Sequence, residues 1–466
     1  MKKGAWLFLK AVSCFCLVAA TLPTLASAAA KDAPQPLPTA ARKLELIRLL
    51  KAEKFEALEG RIAEIFAKID AGGSGKQTEI DVVYAFDRAD PEIAGQLARW
   101  RDAYPNSFAP HLAFGLYSAE IGWAMRGEKT VDRTNPKRFE AMRGYFEAAV
   151  DSLRKAVTLR PKDEIAWAAL IGMANVMGNR AHVASLFDEA MQQVPDSSLV
   201  YGKYFIALAP KWGGSIKKQR ELKRRIRQSF PGNPDFAWIE DVDEIEQGWR
   251  FYRRREYEAA AKHFEKLVAK RESAESRWGR AMSLCAIGRC AEAVPEMQRA
   301  LSLNPGSAQY YIELASLQAH QKEMWDAAAR NFDIGISLDP YDTRALMLRA
   351  EFLADHGKQE AARKDLDRAL FFGAYDDGVR EFRRTYFLQI GDVESALEEA
   401  EKMVTLVPDN PFNHYAYGVT LYKNRDCTAR EVLEHYLLLC RWPAECRDEA
   451  KREAEMLLSS MRQLCS

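Results

Sequence analysis

The sequence predicts an all-α fold: an α–α superhelix of stacked helix pairs, with a divergent helical region in front of it. Three observations predict it: a recurring proline, a small-residue pattern ahead of each proline, and an apolar stripe ahead of each pattern. Pro161 and Pro195 are 34 residues apart, Pro305 and Pro340 are 35 apart, and Pro340 and Pro408 are 68 apart, twice 34. Ala149, Leu153 and Ala156 precede Pro161, and Val183, Phe187 and Ala190 precede Pro195. The same spacing gives Ala293, Met297 and Ala300; Ala328, Phe332 and Gly335; and Ala396, Ala400 and Met403. Ala260, Phe264 and Leu267, like Ala362, Leu366 and Ala369, keep the pattern without the proline. Small residues let two helices approach closely, and the proline ends the second of them.

The first helix of each pair is visible in "WAALIGMANVMGN" from Trp167, "YIELASLQAH" from Tyr311 and "HYAYGVTLYKN" from His414. Apolar residues recur there every three or four positions, and turns are expected near Gly178, Gly288, Gly357 and Gly391. This period and pattern resemble the tetratricopeptide repeat. The resemblance covers residues 146–197 and 241–444, 256 of 466. A weaker echo, Ile93, Leu97, Trp100 and Pro105, runs further back, so residues 40–235 read as a divergent helical solenoid with insertions. That region also resembles a bacterial domain family of unknown function, on the strength of "RWRDAYPNS", "WAMRG" and "PKWGGS". The second resemblance implies no activity.

Residues 1–28 read as a secretory signal: Lys2 and Lys3, an apolar run, then "LASAAA", with cleavage expected after Ala28. A linker (29–39), the divergent domain (40–235), the repeat array (236–425) and a C-terminal cap (426–466) follow. The expected location is the periplasm or the exterior, with nothing spanning a membrane after signal cleavage. The 67 basic and 66 acidic residues nearly cancel, so no global field points to nucleic acid.

Candidate chemistry is sparse. "KWGGSIK" at 211–217 lacks the G-K-[ST] ending of a phosphate loop, and "DAGGSGKQTE" at 70–79 lacks its first glycine and its Ser or Thr. Gly213 and Gly214 are expected to end one helix and Ser215 to cap the next, leaving the lysines and arginines of 217–227 as a solvated face; a basic groove for an acidic partner is the competing reading. The seven histidines show no paired spacing, and no cofactor, metal site or catalytic residue is expected. The expected function is binding of a protein or peptide on the concave face of the superhelix. Inward positions, counted from each proline, include Asn175, Trp278, Met282, Gln309, Arg344, Phe412, Tyr415 and Tyr422. Packing between neighbouring repeats competes for each of them. The alternative function is an enzyme or small-ligand module within residues 31–235, where Trp100, Trp123, Trp167 and Trp212 would suit a pocket.

Six cysteines follow the signal. A helix rises about 1.5 Å per residue, so one running from Cys427 to Cys440, or from Cys446 to Cys465, cannot bridge its own ends. An antiparallel hairpin brings Cys440 to Cys446 and Cys427 towards Cys465, and Cys285 is left to pair with Cys290 across a turn. A four-cysteine zinc site is the alternative, weakened by the missing C-x-x-C spacing.

Overall fold

The computed structural model describes residues 37–73, 75–127, 136–440 and 446–464. The expected signal segment, Cys465 and the turn at 441–445 lie outside them. Among the described residues the regular elements are α-helices and short 3-10 turns, without a strand. In chain order they are α1 (Pro38–Lys51), α2 (Phe55–Ala71), α3 (Lys76–Val83), α4 (Ala94–Ala103), α5 (Phe108–Arg126) and α6 (Pro136–Leu159). Next come α7 (Glu164–Val176), α8 (Arg180–Gln193), α9 (Ser198–Ala207), α10 (Ile216–Ser229), α11 (Trp238–Arg253) and α12 (Tyr257–Lys270). Regular pairs follow: α13 (Ala274–Ala286) with α14 (Cys290–Leu303), and α15 (Ala308–Ala319) with α16 (Trp325–Leu338). Then come α17 (Thr343–Asp355) with α18 (Gln359–Gly373), and α19 (Asp377–Gln389) with α20 (Val393–Leu406). Last are α21 (Pro411–Lys423), α22 (Ala429–Leu439) and α23 (Asp448–Leu464).

These helices form two compact units. Among the described residues the first takes in 37–88, 92–116 and 149–339, and so draws on both sides of residue 235. The second takes in 89–91, 117–148 and 340–464.

In the first unit the small residues of the repeat pattern are buried as their spacing predicts: Ala260, Ala293, Ala300 and Ala328 are fully enclosed. Gly279 marks a close approach between two helices. A Cβ there would lie 2.4 Å from the ring of Phe264, so only glycine lets α13 sit against α12. One element comes from far away in the sequence. The α1 residue Ala40 is buried in the same cluster as Leu284, Tyr311, Leu314 and Leu338. The Leu37 backbone N–H donates to the Tyr311 hydroxyl at 2.9 Å, and Lys43 Nζ donates to the Gly306 carbonyl at 2.9 Å.

The "PKWGGS" stretch is the expected joint. Gly213 has φ 77°, in the left-handed region that glycine adopts without penalty. A methyl there would fall 1.6 Å from Nη2 of Arg180, so the guanidinium packs over the turn. The Ser215 hydroxyl then accepts from the Lys218 N–H at 3.2 Å and caps α10.

In the second unit Arg138 of α6 donates from Nη1 to the Phe372 carbonyl at 3.0 Å and from Nε to the Arg126 carbonyl at 2.9 Å. The last three helices enclose Leu421, Leu433, Tyr436, Ala454 and Met461. Two of the expected disulfides are present. Cys285 and Cys290 have Cα atoms 4.0 Å apart, and Cys440 and Cys446 have theirs 5.5 Å apart. Cys427 is also disulfide-bonded.

Candidate binding surface

Each regular pair is held by an arginine–carboxylate clamp from its first helix to its second, with one exception. In the first unit, Arg277 Nη1 and Arg280 Nη1 of α13 both reach Glu296 of α14, at 2.7 and 2.8 Å. In the second, Arg349 of α17 forks onto Asp365 of α18 at 2.7 Å. Arg380 and Arg383 of α19 meet Glu399 of α20 at 2.7 and 3.0 Å. The sequence separation is 16 or 19 in every case. The α15–α16 pair is the exception and replaces the clamp with a neutral bond, Asn331 Nδ2 to Gln318 Oε1 at 2.7 Å. Next to the first clamp, the guanidinium of Arg299, and then that of Arg277, hold the Glu272 carboxyl down to about 2.

On the first helices of the first unit lies an aromatic row. Trp278 is half-buried, its ring centroid 4.5 Å from Trp249 and 5.7 Å from Tyr310. Its indole N–H is buried without a hydrogen-bond partner among the described residues. Met282, one turn on, is also half-buried, and Gln309 at the start of α15 is exposed. Beside this row Glu275 is open to solvent yet crowded by protein. Burial, and then the charge of Glu246, hold its carboxyl above the usual range. Asn175, on α7, is half-buried, and its carbonyl accepts from the Gly178 N–H at 3.1 Å in the turn that ends that helix.

The remaining sequence candidates belong to the second unit. Arg344 is exposed at the start of α17, and Phe412 lies 6.1 Å from Tyr415. Tyr415 packs on Tyr436 at 5.3 Å and donates its hydroxyl to Glu453 of α23. Ser460 of α23 donates to the Tyr422 hydroxyl at 3.0 Å. The chain's own last helix therefore takes both tyrosine hydroxyls. Sequence reasoning passed over Glu275 and Glu351, although the inward-position count that picked Trp278 also reaches them. Burial, and then Asp355, raise the Glu351 carboxyl.

The tryptophans of the divergent region mostly hold structure. Trp100 is fully buried and donates to Glu59 at 2.8 Å, and Trp167 donates to the Pro161 carbonyl at 2.8 Å. Trp123 packs edge-on to Phe146 at 5.5 Å. The Trp212 indole N–H is buried with no partner among the described residues. Asp163 is fully buried and caps α7, accepting from Ile165 and Ala166 at 3.1 and 3.0 Å. Desolvation pushes its carboxyl up to about 7. Among the described residues no group of three or more His, Cys, Asp or Glu could hold a metal ion, and no helix is long and apolar enough to cross a membrane.

A helix-pair unit of this length, repeated with these alanines and clamps, decides the family of the array. The pairs within residues 245–378 are tetratricopeptide repeats. The tetratricopeptide repeat family matches residues 245–308, 279–329 and 323–378. Residues 41–199 match the Domain of unknown function (DUF4034). A curated relative is the tetratricopeptide repeat and J domain-containing co-chaperone DNJ1 of Fusarium oxysporum f. sp. lycopersici, 26% identical over 155 residues. That match takes in 32% of this chain and spans only 29% of the relative. Among solved structures, the thermophilic tetratricopeptide repeat protein TTC0263 of Thermus thermophilus is 18% identical with a TM-score of 0.35, covering 39% of this chain and 99% of its own. Yeast Tom70 is 14% identical with a TM-score of 0.39, covering 91% and 96%.

Proposed function

We propose that this protein is an exported scaffold that binds a protein or peptide on the face formed by the first helices of its tetratricopeptide repeats, centred on Trp278 and Met282. The observation that carries the reading is that Trp278 and Met282 stay half-buried although the repeats on either side of them are in place. Large apolar side chains left partly open on a rigid helical face are the usual anchors of an interface. The adjacent Glu275, with its raised carboxyl, adds a polar group to the same face. The co-chaperone relative, itself a repeat protein, supports the same class of function. Export is supported by the disulfides Cys285–Cys290 and Cys440–Cys446, which persist in oxidising compartments. No cofactor and no nucleic acid enter this reading.

The test replaces Trp278 and Met282 with alanine and leaves Tyr415 and Tyr422 intact, because those two hold α23 in place. Crosslinking and affinity capture from envelope extract are then compared with the unaltered protein. The expected outcome is loss of at least one partner at unchanged helical content. An unchanged partner list overturns the proposal.

A further inference from the structure

The two sides of α10 are treated differently. On its inner side Leu222 and Ile226 are buried, and the cations are neutralised by α11. Lys223 Nζ lies 2.5 Å from Asp243, and Arg227 forks onto Glu240 at 2.7 and 2.9 Å. On its outer side Lys217, Lys218, Arg220, Arg224 and Arg225 are exposed, and none makes an ion pair with a described residue. One carboxylate, Glu221, stands among these five cations. Ile216, Lys217, Arg220, Glu221 and Arg224 line an open recess of about 450 Å³. Ile216, 56% exposed, gives its end an apolar rim.

We propose that this recess is a second docking surface, which takes an acidic, extended segment of another protein. Charge complementarity sets the sign of the partner, because unneutralised cations concentrated on one helix face steer an anionic chain and fix its register. The apolar residues that a membrane-lying helix would turn outward, Leu222 and Ile226, face the protein instead. Among the described residues no aromatic side chain lines the recess for bases to stack on.

The experiment uses the whole protein and a fluorescein-labelled dodecapeptide of alternating Glu and Ser, read by fluorescence anisotropy at low and moderate salt. The unaltered protein is expected to bind one peptide, and more weakly as salt rises. The triple variant K217E/R220E/R224E should weaken binding at least tenfold. K262E/K266E/K270E, the same charge change on exposed positions of α12, should weaken it less than twofold. Circular dichroism checks that both variants fold. Trp278→Ala should leave the peptide affinity unchanged, which separates this surface from the one proposed above. Equal losses in the two triple variants, or no binding by the unaltered protein at low salt, overturn the proposal. So does tighter binding to phosphatidylglycerol vesicles or to single-stranded RNA that depends on the same three side chains.

Discussion

Trp278 and Tyr415 each occupy the fifth residue of the first helix of a pair, α13 and α21 respectively, yet they meet opposite fates. The indole N–H of Trp278 is buried with no partner among the described residues, while Tyr415 donates to Glu453 of α23. The clamps repeat the contrast. The Arg277, Arg280 and Glu296 side chains are 22, 24 and 13% exposed, whereas Arg380, Arg383 and Glu399 are 12, 8 and 5% exposed. One repeat plan thus yields a half-buried face with an unpartnered indole N–H in the first unit and a half-buried face with its tyrosine hydroxyls satisfied at the end of the second. Position within a repeat does not decide whether a side chain is free to bind; what packs on it next does.

The clamps offer the largest test. Glu399→Ala removes the shared partner of two nearly buried guanidinium groups, of which Arg383 keeps Asp367 and Arg380 keeps the Ala374 carbonyl, and is expected to cost about 3 kcal/mol of stability, against about 1 kcal/mol for Glu296→Ala, whose arginines reach water. Urea unfolding of both variants measures the difference, and equal losses would show that burial does not separate the two clamps. An intermediate effect is expected from Gly279→Ala, which drives a methyl into Phe264 and should cost about 1–3 kcal/mol. Adding Phe264→Leu should recover part of that loss; strictly additive effects would mean that the contact is not what matters. The smallest effect is expected from Tyr415→Phe, which removes one hydrogen bond to a carboxylate at the protein surface and should cost about 1 kcal/mol. Trp278→Phe breaks no hydrogen bond and should shift the melting temperature less. The reverse order would erase the contrast between the two faces.

Much of this architecture was legible. The spacing of Ala293, Met297 and Ala300 placed α14, and the turn chemistry of Gly213 and Ser215 placed the joint before α10. Helix rise and the positions of four cysteines were enough to pair Cys440 with Cys446, because that argument is local and geometric. The clamps were not legible, since Arg383 and Glu399 sit on different helices and a separation of 16 belongs to no helical period. Tyr415 and Tyr422 could be placed on the first helix of a pair from the sequence but not recognised as covered, because that depends on where α23 returns. The docking of α1 on Tyr311 left no signal at all, having no repeat to announce it.

That docking also bears on how the protein comes to be folded. The hydrogen bond from Leu37 to Tyr311 spans 274 residues, while the clamps span 16 or 19. Local pairs of helices form fast, and distant contacts must wait for the chain between them. At about 5–20 residues per second, roughly 15–55 s of synthesis separate the two partners of that bond. Until then the side of α1 that carries Ala40 and Leu44 lacks its partner, while Arg42 on the same helix already has Glu79 of α3 to pair with.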